Sequence, residues 1–154
     1  MKTLIIYCSV HHSNTKKIAK TMADILDADL LKPQEIKIDK LADYNLIGFG
    51  SGIYFGKHHD DLFDFVSKLP MQNNKKAFIF STRGIMPVNI CHKLLKKQLS
   101  EKEFDVINEF SSKGFDTVGP FKLIGGINKN RPNDDDLENA KKFAENINNE
   151  LVKK

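Results

Sequence analysis

Three short apolar runs, Leu4-Ile5-Ile6-Tyr7, Leu46-Ile47-Gly48-Phe49 and Ala77-Phe78-Ile79-Phe80, constrain this chain more than any other feature. None shows the alternation of a strand with one wet face. Each therefore reads as a strand covered on both sides, the pattern of a parallel sheet between helices. The segments around them have helical periodicity. Ile18, Met22, Ile25 and Leu26 mark a helix predicted from about Asn14 to Asp27, and Leu62, Phe65, Val66 and Leu69 mark a second that Pro70 closes. A third is expected over Asn89–Lys102, with Leu94, Leu95 and Leu99 facing inward. The last opens on Asp134-Asp135-Asp136 at its positive end and carries Leu137, Ala140, Ala144, Ile147 and Leu151 on one face. A short strand near Ala28–Lys32, and an edge-like one at Val106, Asn108 and Phe110, complete about five βα repeats. Right-handed crossovers wind such repeats into a parallel sheet with helices on both faces.

At 154 residues the chain is read as one domain, 1–154. No apolar run approaches the ~20 residues of a membrane span. Cys8 and Cys91 form no C-x-x-C pair, which fits a reducing cytoplasm. The net charge of +4 comes from scattered lysines without interleaved aromatics, so no nucleic-acid partner is expected.

In a doubly wound sheet, ligands bind outside the carboxyl ends of the strands. Three loops converge there. The first, Ser9-Val10-His11-His12-Ser13-Asn14-Thr15, leads from a strand straight into a helix, whose unpaired N–H groups and dipole favour an anion. Its hydroxyls, and the absence of both Gly-x-x-x-x-Gly-Lys-Ser/Thr and Gly-x-Gly-x-x-Gly, suit a single terminal phosphate. An ordinary capped helix would also begin with Ser and Asn, so this segment alone leaves both readings open. The second loop, Gly50–His59, sets Tyr54 and Phe55 among three glycines, either to stack on a flat ring or to plug the loop from beneath. The third offers Ser81, Thr82, Arg83 and Gly84 to the polar edge of a ring. The stretch Ser111–Asn133 has no sustained period and reads as a long functional connection.

With Tyr7-Cys8-Ser9 leading in, Ser13-Asn14-Thr15 leading out and Gly-Ser-Gly-Ile-Tyr-Phe-Gly at 50–56, the chain resembles a short-chain flavodoxin over nearly its whole length. The resemblance implies a five-stranded parallel sheet in the order 2-1-3-4-5 and FMN as cofactor. It implies that Ser9, His11, His12, Ser13, Asn14 and Thr15 hold the phosphate. Ser51, Gly52, Ile53, Tyr54, Phe55 and Gly56, with Ser81, Thr82, Arg83 and Gly84, would line the isoalloxazine. It also implies that Gly50, Gly52 and Gly56 permit a peptide flip beside the flavin. The chain departs from the family pattern in several places. Two histidines occupy the phosphate loop, Ser13 replaces its glycine, tryptophan is absent and the charge is basic. Met86, Ile85, Phe115 and Phe121 are the candidates for the missing second ring flank.

His11, His12, His58, His59 and His92 all fall in or beside the rim loops. No pair has the i, i+4 spacing of a zinc motif, so no metal is expected. Partly protonated, they would instead favour an anionic reduced flavin. The resemblance implies an electron carrier between a reductase and an acceptor, with no catalytic residue of its own. The alternative is a flavodoxin-like FMN oxidoreductase acting on a quinone, NAD(P)H or a porphyrinogen. A phosphoacceptor receiver module would need acidic residues where Cys8 and Ser9 stand.

Overall fold

The computed structural model describes residues 1–10, 13–114 and 123–153. Its elements run β1 (Thr3–Cys8), α1 (Asn14–Leu26), β2 (Asp29–Leu31), β3 (Leu46–Tyr54), β4 (Lys57–His58), α2 (Asp60–Ser67), β5 (Lys75–Arg83), α3 (Val88–Glu101), β6 (Phe104–Lys113) and α4 (Asp134–Val152). The parallel strands lie in the order β2-β1-β3-β5-β6. With the short β4 set aside, this is the expected order 2-1-3-4-5. β4 pairs antiparallel with the end of β3 and lies off the main path.

Side-chain alternation divides the sheet into two dry faces. Leu4, Ile6, Ile47, Phe49, Ala77 and Ile79 pack against Leu62, Val66, Leu95 and Leu99 of α2 and α3. Ile5, Tyr7, Leu46, Phe78 and Phe80 pack against Ile18, Met22, Ala140 and Ile147 of α1 and α4. Burying each large side chain contributes about 1.5–3 kcal/mol, so the two layers dominate the fold. The glycines of β3 are part of this packing. A Cβ at Gly48 would lie 2.3 Å from the Phe78 ring, and one at Gly50 would lie 2.2 Å from the Phe80 ring. Gly50 thus makes room for an aromatic neighbour.

Four details differ from the sequence reading. The β2–β3 connection carries two 3-10 turns, Pro33–Glu35 and Ile38–Asp43, where a fifth βα repeat would need an α-helix. Ser111–Lys113 continues β6 and pairs with Ser81–Arg83, so the long connection begins later. Leu94 is 51% exposed, because the buried stripe of α3 is Cys91, His92, Leu95 and Leu99. The second loop is a tight hairpin, with Phe55 and Gly56 between paired Tyr54 and Lys57. The closing helix starts as its sequence indicates. Asn133 Oδ1 accepts from the Asp136 amide at 3.0 Å, and Asp136 Oδ2 accepts from the Asn133 amide at 2.8 Å.

Candidate functional site

At the carboxyl ends of the strands the sheet turns polar within one residue. Tyr7, Gly50, Phe80 and Phe110 form one row across it, and Cys8, Ser51, Ser81 and Ser111 form the next. Above this second row lie the β1–α1 mouth, the β3–β4 hairpin and the β5–α3 loop.

At the mouth, Ser13 has φ 54°, the left-handed backbone that glycine adopts most easily, and its side chain makes no capping bond. Ser13 itself therefore does not cap the helix. Ser9 Oγ accepts the Lys16 amide at 3.3 Å, which turns the strand end toward the helix N-terminus. Asn14 and Thr15 are buried. Thr15 Oγ1 bonds Thr82 Oγ1 at 2.8 Å and ties the helix start to β5. A Cβ on Gly114 would lie 2.7 Å from the Asn14 side chain, so the end of β6 also closes on this point. His11, His12, Phe115 and Phe121 lie outside the described residues.

In the hairpin, Phe55 and Gly56 have φ 51° and 81°, the positive values that a two-residue type I′ turn needs at both central positions. Phe55 is 96% exposed, a bulky side chain held in a costly backbone conformation. Tyr54 takes the other course. Its hydroxyl folds back toward Gly52, and its ring meets His59 edge-on, centroids 5.4 Å apart. Beyond the hairpin, a Cβ on Gly56 would lie 3.1 Å from Met86, so the tip adjoins the β5–α3 loop. Val10, Tyr54, Phe55, Lys57, His58, His59 and Asp60 line a cleft of about 270 Å³.

On the third loop, Arg83 donates from Nη1 to the Met86 carbonyl at 3.3 Å, while its Nε is buried without a partner. Ser51 and Ser81 are spent beneath the rim. Ser51 Oγ donates to the Gly52 carbonyl at 2.6 Å and accepts the His59 amide at 2.9 Å. Ser81 Oγ bonds His92 Nε2 at 2.7 Å and Ser111 Oγ at 2.8 Å. His92 Nδ1 lies 3.2 Å from Glu109 Oε1, and Lys96 Nζ donates to Glu109 Oε2 at 2.9 Å. A carboxylate only accepts, so Nδ1 holds the imidazole proton, Ser81 donates to Nε2 and Ser111 donates to Ser81.

His58 and His92 are not sources of positive charge. Burial, and then the neighbouring His92, push His58 down to about 3, and burial also lowers His92 against the opposing pull of Glu109. Their rings lie 5.1 Å apart, and His58 Nε2 donates to the Phe80 carbonyl at 3.1 Å. The expected stabilisation of an anionic flavin therefore does not come from these two residues.

The family model described as "Flavodoxin domain" matches residues 4–117. The chain belongs to the flavodoxin family. It is 53% identical over 148 residues to the "Uncharacterized protein MJ0298" of Methanocaldococcus jannaschii, across 96% of this chain and 98% of that one. Among solved structures, a flavodoxin from the domain Archaea superposes with a TM-score of 0.72 at 19% identity, covering 99% of both chains. Rubredoxin oxygen:oxidoreductase from Desulfovibrio gigas superposes at 0.71 and 18% identity, over 94% of this chain but 34% of its own. These two likenesses show the flavodoxin fold.

That fold implies a flavin, and the site has features to receive one. The mouth presents two hydroxyls around a helix N-terminus, and the opposite rim holds the orphaned Arg83 Nε–H. A buried donor without an acceptor costs about 1–3 kcal/mol, so a ligand acceptor at that point would relieve it. The sequence reading missed two groups. Glu109 and Ser111 complete the hydrogen-bond chain of His92, and Cys8, His59 and Asp61 bring three ligand-type atoms within 4.8 Å of one another. Ser81, His92, Glu109 and Ser111 come from three separate elements, and Cys8 is far along the chain from His59 and Asp61, so no local spacing reveals either group.

Proposed function

We propose that this flavodoxin-family chain binds FMN and carries electrons between a reductase and an acceptor. The observation that carries the reading is the β1–α1 mouth, where Ser13 takes a left-handed backbone with its hydroxyl free of capping. Ser9, Ser13, Asn14 and Thr15 hold the phosphate there, with His11 and His12 assigned from the sequence alone. The Thr15–Thr82 bond fixes this seat relative to the β5 rim. Gly52 to Gly56 and Thr82 to Gly84 line the ring, while Ser51 and Ser81 support it from below. When bound, FMN supplies one- and two-electron redox chemistry through its ring. The protein holds the group, offers it the Arg83 N–H and leaves the apolar tip of Phe55, Ile85 and Met86 open to a redox partner. No helix among the described residues is long and apolar enough to cross a membrane. Both cysteines are unpaired and buried, as suits the reducing cytoplasm we assign to it.

The test is whether the purified flavoprotein relays electrons without a substrate of its own. A carrier is reduced by a flavoprotein reductase and reoxidised by a protein acceptor, with negligible turnover of NAD(P)H, quinone or porphyrinogen by itself. Sustained turnover of any of these would replace this reading with the oxidoreductase alternative.

A further inference from the structure

We propose that Cys8, His59 and Asp61 form a binding site for a divalent cation of borderline softness, Zn²⁺ or Co²⁺, independent of any flavin. The thiol sits at the end of β1, the imidazole at the N-cap of α2 and the carboxylate in the first turn of that helix. One donor atom from each lies within 4.8 Å of the other two. Tetrahedral coordination at the usual Zn–S, Zn–N and Zn–O lengths puts donors roughly 3.3–3.8 Å apart. His59 Nδ1 and Asp61 Oδ2, 3.8 Å apart, are already at that spacing, so a modest inward turn of side chains completes the set.

The ring is in the form a metal requires. His59 Nδ1 accepts the Asp61 amide at 3.0 Å, so its lone pair is unprotonated and aimed at the start of the helix. An ion would take over that lone pair at the cost of one capping bond. Two neighbours already orient the ligands, as the outer shell of a metal site does. Gln34 Nε2 donates to Asp61 Oδ2 at 3.0 Å, and Ser51 Oγ holds the His59 amide at 2.9 Å.

An ion held between the sulfur, the imidazole and the carboxylate binds by displacing the thiol proton. The thiol proton leaves to solvent, the thiolate binds and the Asp61 charge is neutralised. His59 and Asp61 are only half-buried, which leaves an approach from solvent and a fourth position for water.

The experiment titrates chelator-treated protein with Co²⁺, once with FMN supplied and once without. It follows the thiolate-to-cobalt charge-transfer band, the four-coordinate ligand-field bands and proton release. About one Co²⁺ per chain, a thiolate band, release of about one proton at neutral pH and displacement by Zn²⁺ support the site, whether or not flavin binds. Cys8→Ser should abolish the thiolate band. Gln34→Ala, which touches only the carboxylate, should weaken binding about 10- to 100-fold with the band retained. No binding, Co²⁺ bound without a thiolate band in the wild type, or unchanged affinity in Cys8→Ser would each overturn the proposal. Because Cys91 is a second free thiol, Cys91→Ser, which should keep the thiolate band, assigns that band to Cys8 even if Cys8→Ser fails to fold. Loss of the band in Cys91→Ser would overturn the proposal.

Discussion

The floor of the candidate site and its rim are built on opposite terms. In the floor, Gly50 admits the Phe80 ring, Ser51 is bonded on two sides, and Ser111, Ser81, His92 and Glu109 form one directed hydrogen-bond chain. On the rim, Phe55 is 96% and Ile85 70% exposed, Ser13 and Phe55 have left-handed backbones, and Arg83 keeps an unpartnered N–H. Satisfied contacts fix a platform, whereas unsatisfied donors, strain and exposed apolar surface mark where something else must bind. The floor should therefore resist substitution, and the rim should accept it at little cost to the fold.

The largest effect should come from filling the floor. Gly50→Val drives a branched side chain into the Phe80 ring and should cost about 3 kcal/mol or more, a fall in Tm of roughly 6–12 °C by calorimetry. A loss under 1 kcal/mol would show that the floor can yield. Next, His92→Leu strands Ser81 and Glu109 and should cost about 2 kcal/mol in urea denaturation, whereas Lys96→Ala, at the exposed end of the chain, should change little.

Acid should act on the same layer. His58 and His92 both titrate below the unfolded-chain value, so beneath about pH 6.5 the unfolded chain binds the extra protons. Their contribution is complete above that pH and is lost on acidification, continuing toward pH 3 for His58. His58 adds a slope of up to about 1.4 kcal/mol per pH unit across this range, and His92 acts in the same direction. Stability measured from pH 7 to 5 should fall less steeply in His58→Phe than in wild type, and equal slopes would refute the assignment. The smallest effect belongs to the rim and has the opposite sign. Phe55→Asn suits the positive φ better and should raise stability by roughly 0.5–1 kcal/mol, detectable as a small rise in Tm.

The same contrast explains what the sequence made legible. β1, β3 and β5 announce themselves because interior parallel strands are continuous apolar runs, whereas their order was legible only through the flavodoxin resemblance. The stripe of α3 misleads because His92 is buried as a neutral residue, which periodicity counts as polar, so Leu94 was expected to face inward and is exposed. The hairpin hides because Phe55 stands where such turns usually place Asn or Asp. In the candidate site, the mouth and the two other loops were readable as local segments. The partners of Ser81, His92 and Cys8 were not, since the tertiary fold alone brings them together.

The central claim is a phosphate seat at the β1–α1 mouth, and a paired titration tests it most directly. Apoprotein is titrated with FMN and with riboflavin, which shares the ring but lacks the phosphate, following quenching of flavin fluorescence. The account predicts one FMN per chain and riboflavin at least ~100-fold weaker, since two charge-assisted hydrogen bonds of about 1.5–3 kcal/mol each would be missing. Equal affinity for the two, or no binding of either, would contradict it.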